Sequence, residues 1–312
     1  MVILMKLIVP DYYPQFHCIA GACKHSCCIG WEIDIDEETL EIYRSAEGDI
    51  GDRLRASIDF DCDCPHFITG SDGRCPFLNK EHLCDLILHM GEDVLCGICD
   101  MHPRFRNEFS DREEMGLGLC CEEAARLMLT NPTPVKLIVM EDDGEDIAPD
   151  ESDLYLYALR DNALAVAQDR SFPLTERMEH LAMLFDIPMP HNNPAQWAAF
   201  YLKLERLDDA WTQCLHSLQQ PFPSQELPQW ETAFEQLLVY FLYRHLPAAL
   251  WDGDVESKVA FSILSVQMLR WLCSARENAG FEDLLDFARM YAGEIEYSDE
   301  NLELLFQELS AE

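Results

Sequence analysis

Cysteine is concentrated in the first third of the chain, and this distribution limits what the chain can fold into. Twelve of the 14 cysteines lie between Cys18 and Cys121. Disulfides need an oxidising compartment, but the apolar start at residues 1–10 lacks the basic region and cleavage site of a signal peptide. Adjacent thiols such as Cys27 and Cys28 are also awkward members of one disulfide framework. We therefore expect a cysteine-ligated metal or iron–sulfur centre in a cytoplasmic protein.

The spacing of the thiols favours metal ligation and leaves the choice of metal open. Cys96 and Cys99 form a Cys-x2-Cys knuckle of the kind used by structural zinc sites. The Cys-x3-Cys-Cys stretch that ends at Cys28 is not a zinc-finger spacing, whereas iron–sulfur clusters accept four thiolates at irregular spacings. We predict one or two centres. The thiols fall into five groups: Cys18, Cys23, Cys27 and Cys28; Cys62 and Cys64; Cys75 and Cys84; Cys96 and Cys99; Cys120 and Cys121.

The hydrophobic pattern changes near Pro132, where we place a domain boundary. Before it, we predict a strand over 2–9, a helix capped by Asp34 or Asp36, a hairpin over 75–87 and a helix over 122–130. After a strand over 135–140, apolar residues recur at helical spacing in segments 154–167, 174–185, 194–218, 231–246, 254–279, 281–292 and 298–309.

These patterns predict a mainly α fold in two parts. Residues 1–133 would form an irregular, cysteine-rich metal-binding domain with short strands and a hairpin. Residues 134–312 would form an α-helical C-terminal domain.

The charge balance bears on possible partners. The chain has 22 basic and 58 acidic residues, a formal net charge of −36. Such a surface repels phosphate backbones and anionic lipid, so we expect neither nucleic acid nor membrane as a partner. It would attract a lysine-bearing protein, although a solvated surface that keeps the chain soluble is the simpler interpretation.

Several motifs of the chain occur in the order found in a known family. They are Phe16-His17-Cys18 through Cys28-x-Gly30-Trp31, Cys75-Pro76-Phe77-Leu78 with Cys84, Gly91-Glu92 with Cys99 and Pro103-Arg104, Leu119-Cys120 with Glu122 and Arg126-Leu127, and Tyr240 to Leu246. Together they resemble the flagellin lysine-N-methylase family.

This resemblance implies a cytoplasmic enzyme, a protein-lysine N-methyltransferase that uses S-adenosylmethionine to methylate flagellin or another lysine-bearing protein. It also implies an iron–sulfur centre, 4Fe–4S in preference to zinc. Cys62, Cys96 and Cys121 stand where other residue types are expected, and His102 stands in place of an aromatic residue. Carried over by position, the implied metal ligands are Cys18, Cys23, Cys27, Cys28, Cys64, Cys75, Cys84, Cys99 and Cys120.

Methyl transfer to lysine needs a neutral amine, and a free lysine has a pKa of about 10.4. The site must therefore desolvate the amine or offer a base. A tyrosine or a shielded carboxylate could serve as the base, and the candidate tyrosines are Tyr12, Tyr13, Tyr43, Tyr240 and Tyr243. The Gly116-Leu117-Gly118-Leu119 stretch is interpreted as a turn rather than a nucleotide-binding loop. The alternative function is a non-catalytic iron–sulfur or zinc module, for binding or redox, that docks a basic protein partner.

Overall fold

The computed structural model describes residues 6–142, 144, 147–222 and 227–311, which form two compact units. We call residues 17–104 the cysteine unit, and residues 6–16 together with 105–311 the helical unit. Residues 105–133, which we had placed with the cysteine-rich domain, pack with the helical unit. The proposed boundary between residues 133 and 134 stays a prediction.

The cysteine unit consists of short elements around a small apolar core. The core includes Ile33, Ile35, Leu40, Tyr43, Leu54, Phe67, Phe77 and Leu86. Asp36 caps the first helix as predicted, because its carboxylate accepts a hydrogen bond from the Thr39 N–H at 2.9 Å. It also accepts one from the Gly97 N–H at 2.7 Å, which joins two distant segments. The elements are α1 Glu37–Ser45, α2 Gly48–Ser57, β2 Ile58–Asp59, β3 His66–Phe67, α3 Asp85–Met90 and α4 Gly97–Met101, with 3-10 turns at Ala20–Ala22 and Glu92–Val94.

The predicted hairpin over residues 75–87 is wrong in extent. Only one antiparallel bridge forms, between Leu78 and Cys84. The Asn79 side chain accepts hydrogen bonds from the N–H groups of Glu81 and Leu83, both at 3.0 Å, and so closes a tight turn. Helix α3 then begins at once, and no second strand follows.

The helical unit contains a four-stranded sheet in the order β4-β5-β1-β6. Strand β1 pairs in parallel with β5 and antiparallel with β6. The strands predicted over 2–9 and 135–140 are confirmed as β1 and β6, except that residues 2–5 lie outside the described residues. Strands β4 and β5 were not predicted. The strands are β1 Lys6–Pro10, β4 Arg104–Glu108, β5 Arg112–Leu117 and β6 Leu137–Glu141.

Gly116 and Leu117, which we interpreted as part of a turn, belong to β5. The glycine is required here by packing. A Cβ atom at Gly116 would lie 2.2 Å from the Phe105 ring.

The remaining elements of the helical unit confirm a mainly α fold. They are α5 Glu122–Leu129, α6 Glu151–Ala167, α7 Leu174–Leu184, α8 Pro194–Tyr201, α9 Asp209–Leu218, α10 Glu231–His245, α11 Ala249–Asp252, α12 Val255–Ala275, α13 Phe281–Tyr291, a π-helix Ala292–Glu296 and α14 Asp299–Ala311, with 3-10 turns at Tyr13–Gln15, Pro228–Trp230 and Leu246–Ala248. Within the described ranges, none of these helices is both long enough and apolar enough to pass through a bilayer.

The single helix predicted over 194–218 is two helices. Between α8 and α9 the chain turns, and the N–H groups of Leu207 and Asp208 donate to the Glu294 carboxylate at 2.9 and 2.6 Å. Asp208 then caps α9 by accepting from the Ala210 N–H at 2.7 Å. These partners lie far apart in sequence, so no local pattern could reveal the break.

A buried ion pair joins the sheet to α6. Glu114 of β5 and Arg160 are both fully buried, and the guanidinium contacts the carboxylate through two hydrogen bonds of 2.5 and 2.9 Å. Arg112 contacts the same carboxylate at 2.8 Å. A buried charge is tolerated only with such partners, because desolvation of an unpaired ion is costly.

We predict that Arg160→Met lowers the free energy of unfolding by about 3–5 kcal/mol, because the Glu114 charge loses its main partner. Urea denaturation measures the change. The control is Arg44→Met, since Arg44 and Glu41 form an exposed pair whose loss should cost about 1 kcal/mol or less. Equal effects of the two substitutions would contradict the assigned role of the buried pair.

Candidate functional site

Five thiols of the cysteine unit meet in and around its apolar core. Cys75 and Cys96 are core residues with 7% and 1% of their surfaces exposed, and Cys28, Cys84 and Cys99 pack against that core. We call these five residues the thiol cluster. The Cys75 N–H donates to the Cys28 carbonyl at 2.9 Å, and Cys84 forms the bridge to Leu78. Four of the predicted ligands thus lie together, and Cys96 joins them.

The pKa shifts of the thiols reflect how close the members of the cluster lie to one another. The Cys99 thiol is hydrogen-bonded to Cys96, which lowers the pKa of Cys96 and raises that of Cys99. Burial, with the neighbouring Cys28, Cys84 and Cys96, raises the pKa of Cys75 to about 12. The thiols therefore oppose each other's ionisation, which a bound cation would relieve.

Cys28 differs from the other members of the cluster. A hydrogen bond from Cys27 lowers the pKa of Cys28 to about 7, against the opposing effect of burial and with help from Ser26 and Arg74. Cys28 therefore ionises more readily than an ordinary thiol, and thiolate is the form that binds metal.

The other predicted ligands lie elsewhere or beside the cluster. Cys27 adjoins Cys28, and Cys18 accepts a hydrogen bond from the Ala20 N–H at 3.4 Å near the turn that leads to Cys23. Cys64 interacts with Asp34. Cys120 belongs to the helical unit, where its thiol donates to the Tyr297 hydroxyl at 3.2 Å. The ligand roles of all nine predicted cysteines stay predictions.

The thiol cluster fits a thiolate-bound centre by its donor chemistry. All 14 cysteines are free thiols, and five of them supply sulfur at one place. An iron–sulfur cluster requires four thiolates, and a structural zinc ion can use the same donors. Residues Cys28, Cys75, Cys84, Cys96 and Cys99 would hold such a group.

A second group of polar residues is buried in the helical unit. The Tyr240 hydroxyl donates to both oxygens of Glu296 at 3.0 Å, and Arg244 donates to Tyr240 at 2.8 Å. His245 Nε2 lies 2.7 Å from Glu296 Oε1. We call Tyr240, Arg244, His245 and Glu296 the Glu296 network. Glu296 ends a π-helix, an irregularity that is frequent at functional sites.

The pKa shifts in this network follow from burial and charge. Burial acts to raise the pKa of Glu296, but Arg244 and the hydrogen bond from His245 outweigh it, so the pKa lies below its ordinary value. Burial lowers the pKa of His245 despite the neighbouring carboxylate. His245 is therefore neutral near pH 7, next to an ionised Glu296.

Four of the five tyrosines named as candidate bases are poorly suited to that role. Burial raises the pKa values of Tyr12, Tyr43, Tyr240 and Tyr243 above that of a free phenol. A phenol with a raised pKa stays protonated and cannot accept a proton at neutral pH. His245 was not predicted as a base, although it lies inside the quoted motif of residues 240–246.

The Glu296 network borders a cleft of about 360 Å³. Arg244 and His245 line one side, and the segment from Arg106 to Phe109 lines another. Trp251 also lines the cleft, and 86% of its surface is exposed. The volume lies in the range of small-molecule sites, which runs from about 300 to 1,000 Å³. The cleft combines guanidinium groups, an imidazole and an exposed indole.

The C-terminal part of the chain matches a known domain. Residues 191–312 match the family model for the FliB lysine N-methylase C-terminal domain. The resemblance to the flagellin lysine-N-methylase family is confirmed. The whole Glu296 network lies inside the matched residues.

Curated relatives agree with this match. Two proteins named lysine-N-methylase, from Salmonella choleraesuis and Salmonella typhimurium, are 27% identical to this chain over 135 residues, which is 41% of this chain and 33% of each relative. The flagellar biosynthetic protein FliU of Salmonella muenchen is also 27% identical over 135 residues, 79% of its length. The matched segment spans about a third of the length of the two lysine-N-methylases. No solved structure gives a significant match to the chain.

We predict that Cys28 of the metal-free protein reacts with iodoacetamide at pH 7 well before Cys75. About half of Cys28 is thiolate at that pH, whereas Cys75, with a pKa of about 12, is almost entirely thiol and is buried. Mass spectrometry of timed digests measures both rates. The Cys28 rate should rise with a midpoint near pH 7, and equal labelling of the two thiols would contradict the structure.

Proposed function

We propose that the chain is an S-adenosylmethionine-dependent protein-lysine N-methyltransferase that acts on flagellin and carries an iron–sulfur centre in the thiol cluster. The names of the family and of the relatives support lysine methylation. The name of FliU supports a flagellar context. One structural observation carries the proposal, which is that the Glu296 network lies within the residues that match the FliB domain and borders a cleft.

His245 is the residue that we assign as the base. Its neutral imidazole can accept a proton, and Glu296 at 2.7 Å would stabilise the resulting imidazolium. With Nε2–H donated to the carboxylate, Nδ1 is the proton-accepting atom. Burial and the hydrogen bond together hold the ring in one orientation.

Desolvation in the cleft helps to make a lysine neutral. A lysine with a pKa of about 10.4 would hold its proton against an imidazole in water. Arg106 and Arg244 line the cleft, but Glu108 also lines it. In addition, Arg106 pairs with Glu113, and Arg244 pairs with Glu296. These charges largely offset one another, so we assign the lowering of the lysine pKa to partial desolvation.

S-adenosylmethionine would supply the methyl group from its sulfonium centre. Within the cleft, the Arg106 guanidinium suits its carboxylate, and the exposed Trp251 indole suits its adenine ring. The Arg106 guanidinium and the Trp251 indole therefore support the assignment of this cleft to the cofactor.

The iron–sulfur part of the proposal rests on the thiol cluster alone. Four of its five thiolates would bind the centre, and Tyr43, whose hydroxyl donates to the Val94 carbonyl at 2.8 Å, packs beside them. Free thiols in this number suit a reducing compartment, and we place the protein in the cytoplasm, where flagellin is made.

We predict that the protein purified without oxygen transfers deuterated methyl groups from S-adenosylmethionine to flagellin lysines. His245→Gln should lower kcat by at least about 100-fold, the usual contribution of a positioned base. Intact-mass spectrometry of flagellin measures the transfer. His216→Gln, at an exposed histidine of α9, is the matched control and should retain full activity.

Two outcomes separate the parts of this proposal. Full activity of a folded His245→Gln variant would reject the assigned base and leave methylation standing. No transfer by the wild-type protein with an intact metal centre would favour the alternative of a non-catalytic module that docks a basic partner.

A further inference from the structure

A second group of metal-binding side chains lies in the cysteine unit, outside the thiol cluster. The extended segment 32–35 runs beside β3, with the Phe67 N–H donating to the Ile33 carbonyl at 3.0 Å and the Ile35 N–H donating to the Pro65 carbonyl at 2.8 Å. Side chains alternate along such segments. Ile33, Ile35 and Phe67 therefore enter the core, while Glu32, Asp34 and His66 lie together on the outer face.

The contacts of His66 fix which of its ring nitrogens carries a proton. Nδ1 lies 3.0 Å from the Cys64 carbonyl oxygen, which can only accept, so Nδ1 must donate. The lone pair is then on Nε2, unless the ring carries a second proton. Metal-binding histidines commonly donate their other ring N–H to a backbone carbonyl in this way.

The Nε2 atom points at carboxylate oxygens. Glu32 Oε2 lies 3.4 Å from it, and the ligand atoms of Glu32, Asp34 and His66 all lie within 4.8 Å of one another. Two carboxylates facing an imidazole lone pair repel it, so a cation between them is favourable. Neighbouring ligands of a tetrahedral zinc with bonds of about 2.0–2.2 Å are about 3.3–3.6 Å apart. The distance from Glu32 to His66 already matches that separation.

We propose that Glu32, Asp34 and His66 bind a zinc ion on the outer face of the cysteine unit, with the Cys64 thiol as the fourth donor. The Cys64 thiol is hydrogen-bonded to Asp34 but lies outside the 4.8 Å group of the other three ligand atoms, so it would join the ion by a rotation of its side chain. A set of imidazole, carboxylate and one thiolate suits zinc better than the hard cations calcium or magnesium. Cys62 lies on the other side of the ring, with its sulfur 3.5 Å from Nδ1.

The proposal assigns Cys64 to a site other than the thiol cluster. It is independent of the proposed methylation, because neither the Glu296 network nor the cleft takes part in it. The zinc would join the segments 32–35 and 64–66 through their side chains. This would stabilise the outer face where the backbone pairing is limited to short strands.

The test is zinc binding by the full chain with its iron centre in place. The protein is equilibrated with zinc chloride, dialysed against a weak chelator and analysed for bound zinc and iron by mass spectrometry of the elements. X-ray absorption at the zinc edge then reports the donor atoms. We expect one zinc per chain, surrounded mainly by nitrogen and oxygen with a single sulfur.

The variants separate this site from the thiol cluster. Asp34→Asn/His66→Gln should lose the zinc, and Glu32→Gln, at a side chain that is 67% exposed, should weaken zinc binding at least about tenfold. The iron content should not change in either. The matched control, Glu37→Gln/His89→Gln, alters an exposed carboxylate and an exposed imidazole of the same unit and should keep the zinc.

Two results would overturn the proposal. A zinc shell of four sulfurs that the variants leave unchanged would place the ion in the thiol cluster. A wild-type protein that binds no zinc would show that these three side chains do not form a metal site.

Discussion

The mutual repulsion of thiolates in one small apolar core is the constraint on which the cysteine unit depends. Cys75 and Cys96 are enclosed, and their neighbours oppose ionisation of Cys75 and Cys99. A protein that uses its core volume for thiols loses apolar contacts, and it recovers stability if the sulfurs bind a cation. A domain of this size has a limited core of its own, so a bound centre would contribute a large share of its stability.

The helical unit contains a charged carboxylate that is buried away from water. Glu296 is fully buried, yet its pKa is lowered because Arg244, His245 and Tyr240 all contact it. The cost of desolvation is offset by these partners, and the imidazole is held at the rim of the cleft as a result. The arrangement makes a neutral histidine with a fixed orientation, which is what proton transfer requires.

Local patterns predicted the local features well. The Asp36 cap and the apolar run of α10 each follow from a few adjacent residues. The Cys-x2-Cys spacing of Cys96 and Cys99 also indicated a shared site, and both thiols lie in the thiol cluster, although the family resemblance left Cys96 out. Helix-capping and knuckle spacings act within one or two turns, so the sequence alone reveals them.

Features that depend on distant partners were not predictable in this way. Strands β4 and β5 are rich in charged residues. Strand β5 is placed by pairing with β1, about 100 residues earlier, and β4 lies beside β5. His245 and Glu296 are 51 residues apart, and no spacing rule joins them. The same holds for Glu32 and His66, whose approach depends on the pairing of two extended segments.

The central claim is that the thiol cluster binds an iron–sulfur centre. Its most direct test is the iron and acid-labile sulfide content, with the Mössbauer spectrum, of protein prepared without oxygen from iron-57 medium. The account predicts a four-iron spectrum that Cys75→Ser and Cys99→Ser abolish and that Cys214→Ser, at a thiol of α9 in the helical unit, leaves intact. Iron binding that survives loss of both Cys75 and Cys99, or wild-type protein that binds no iron, would contradict it.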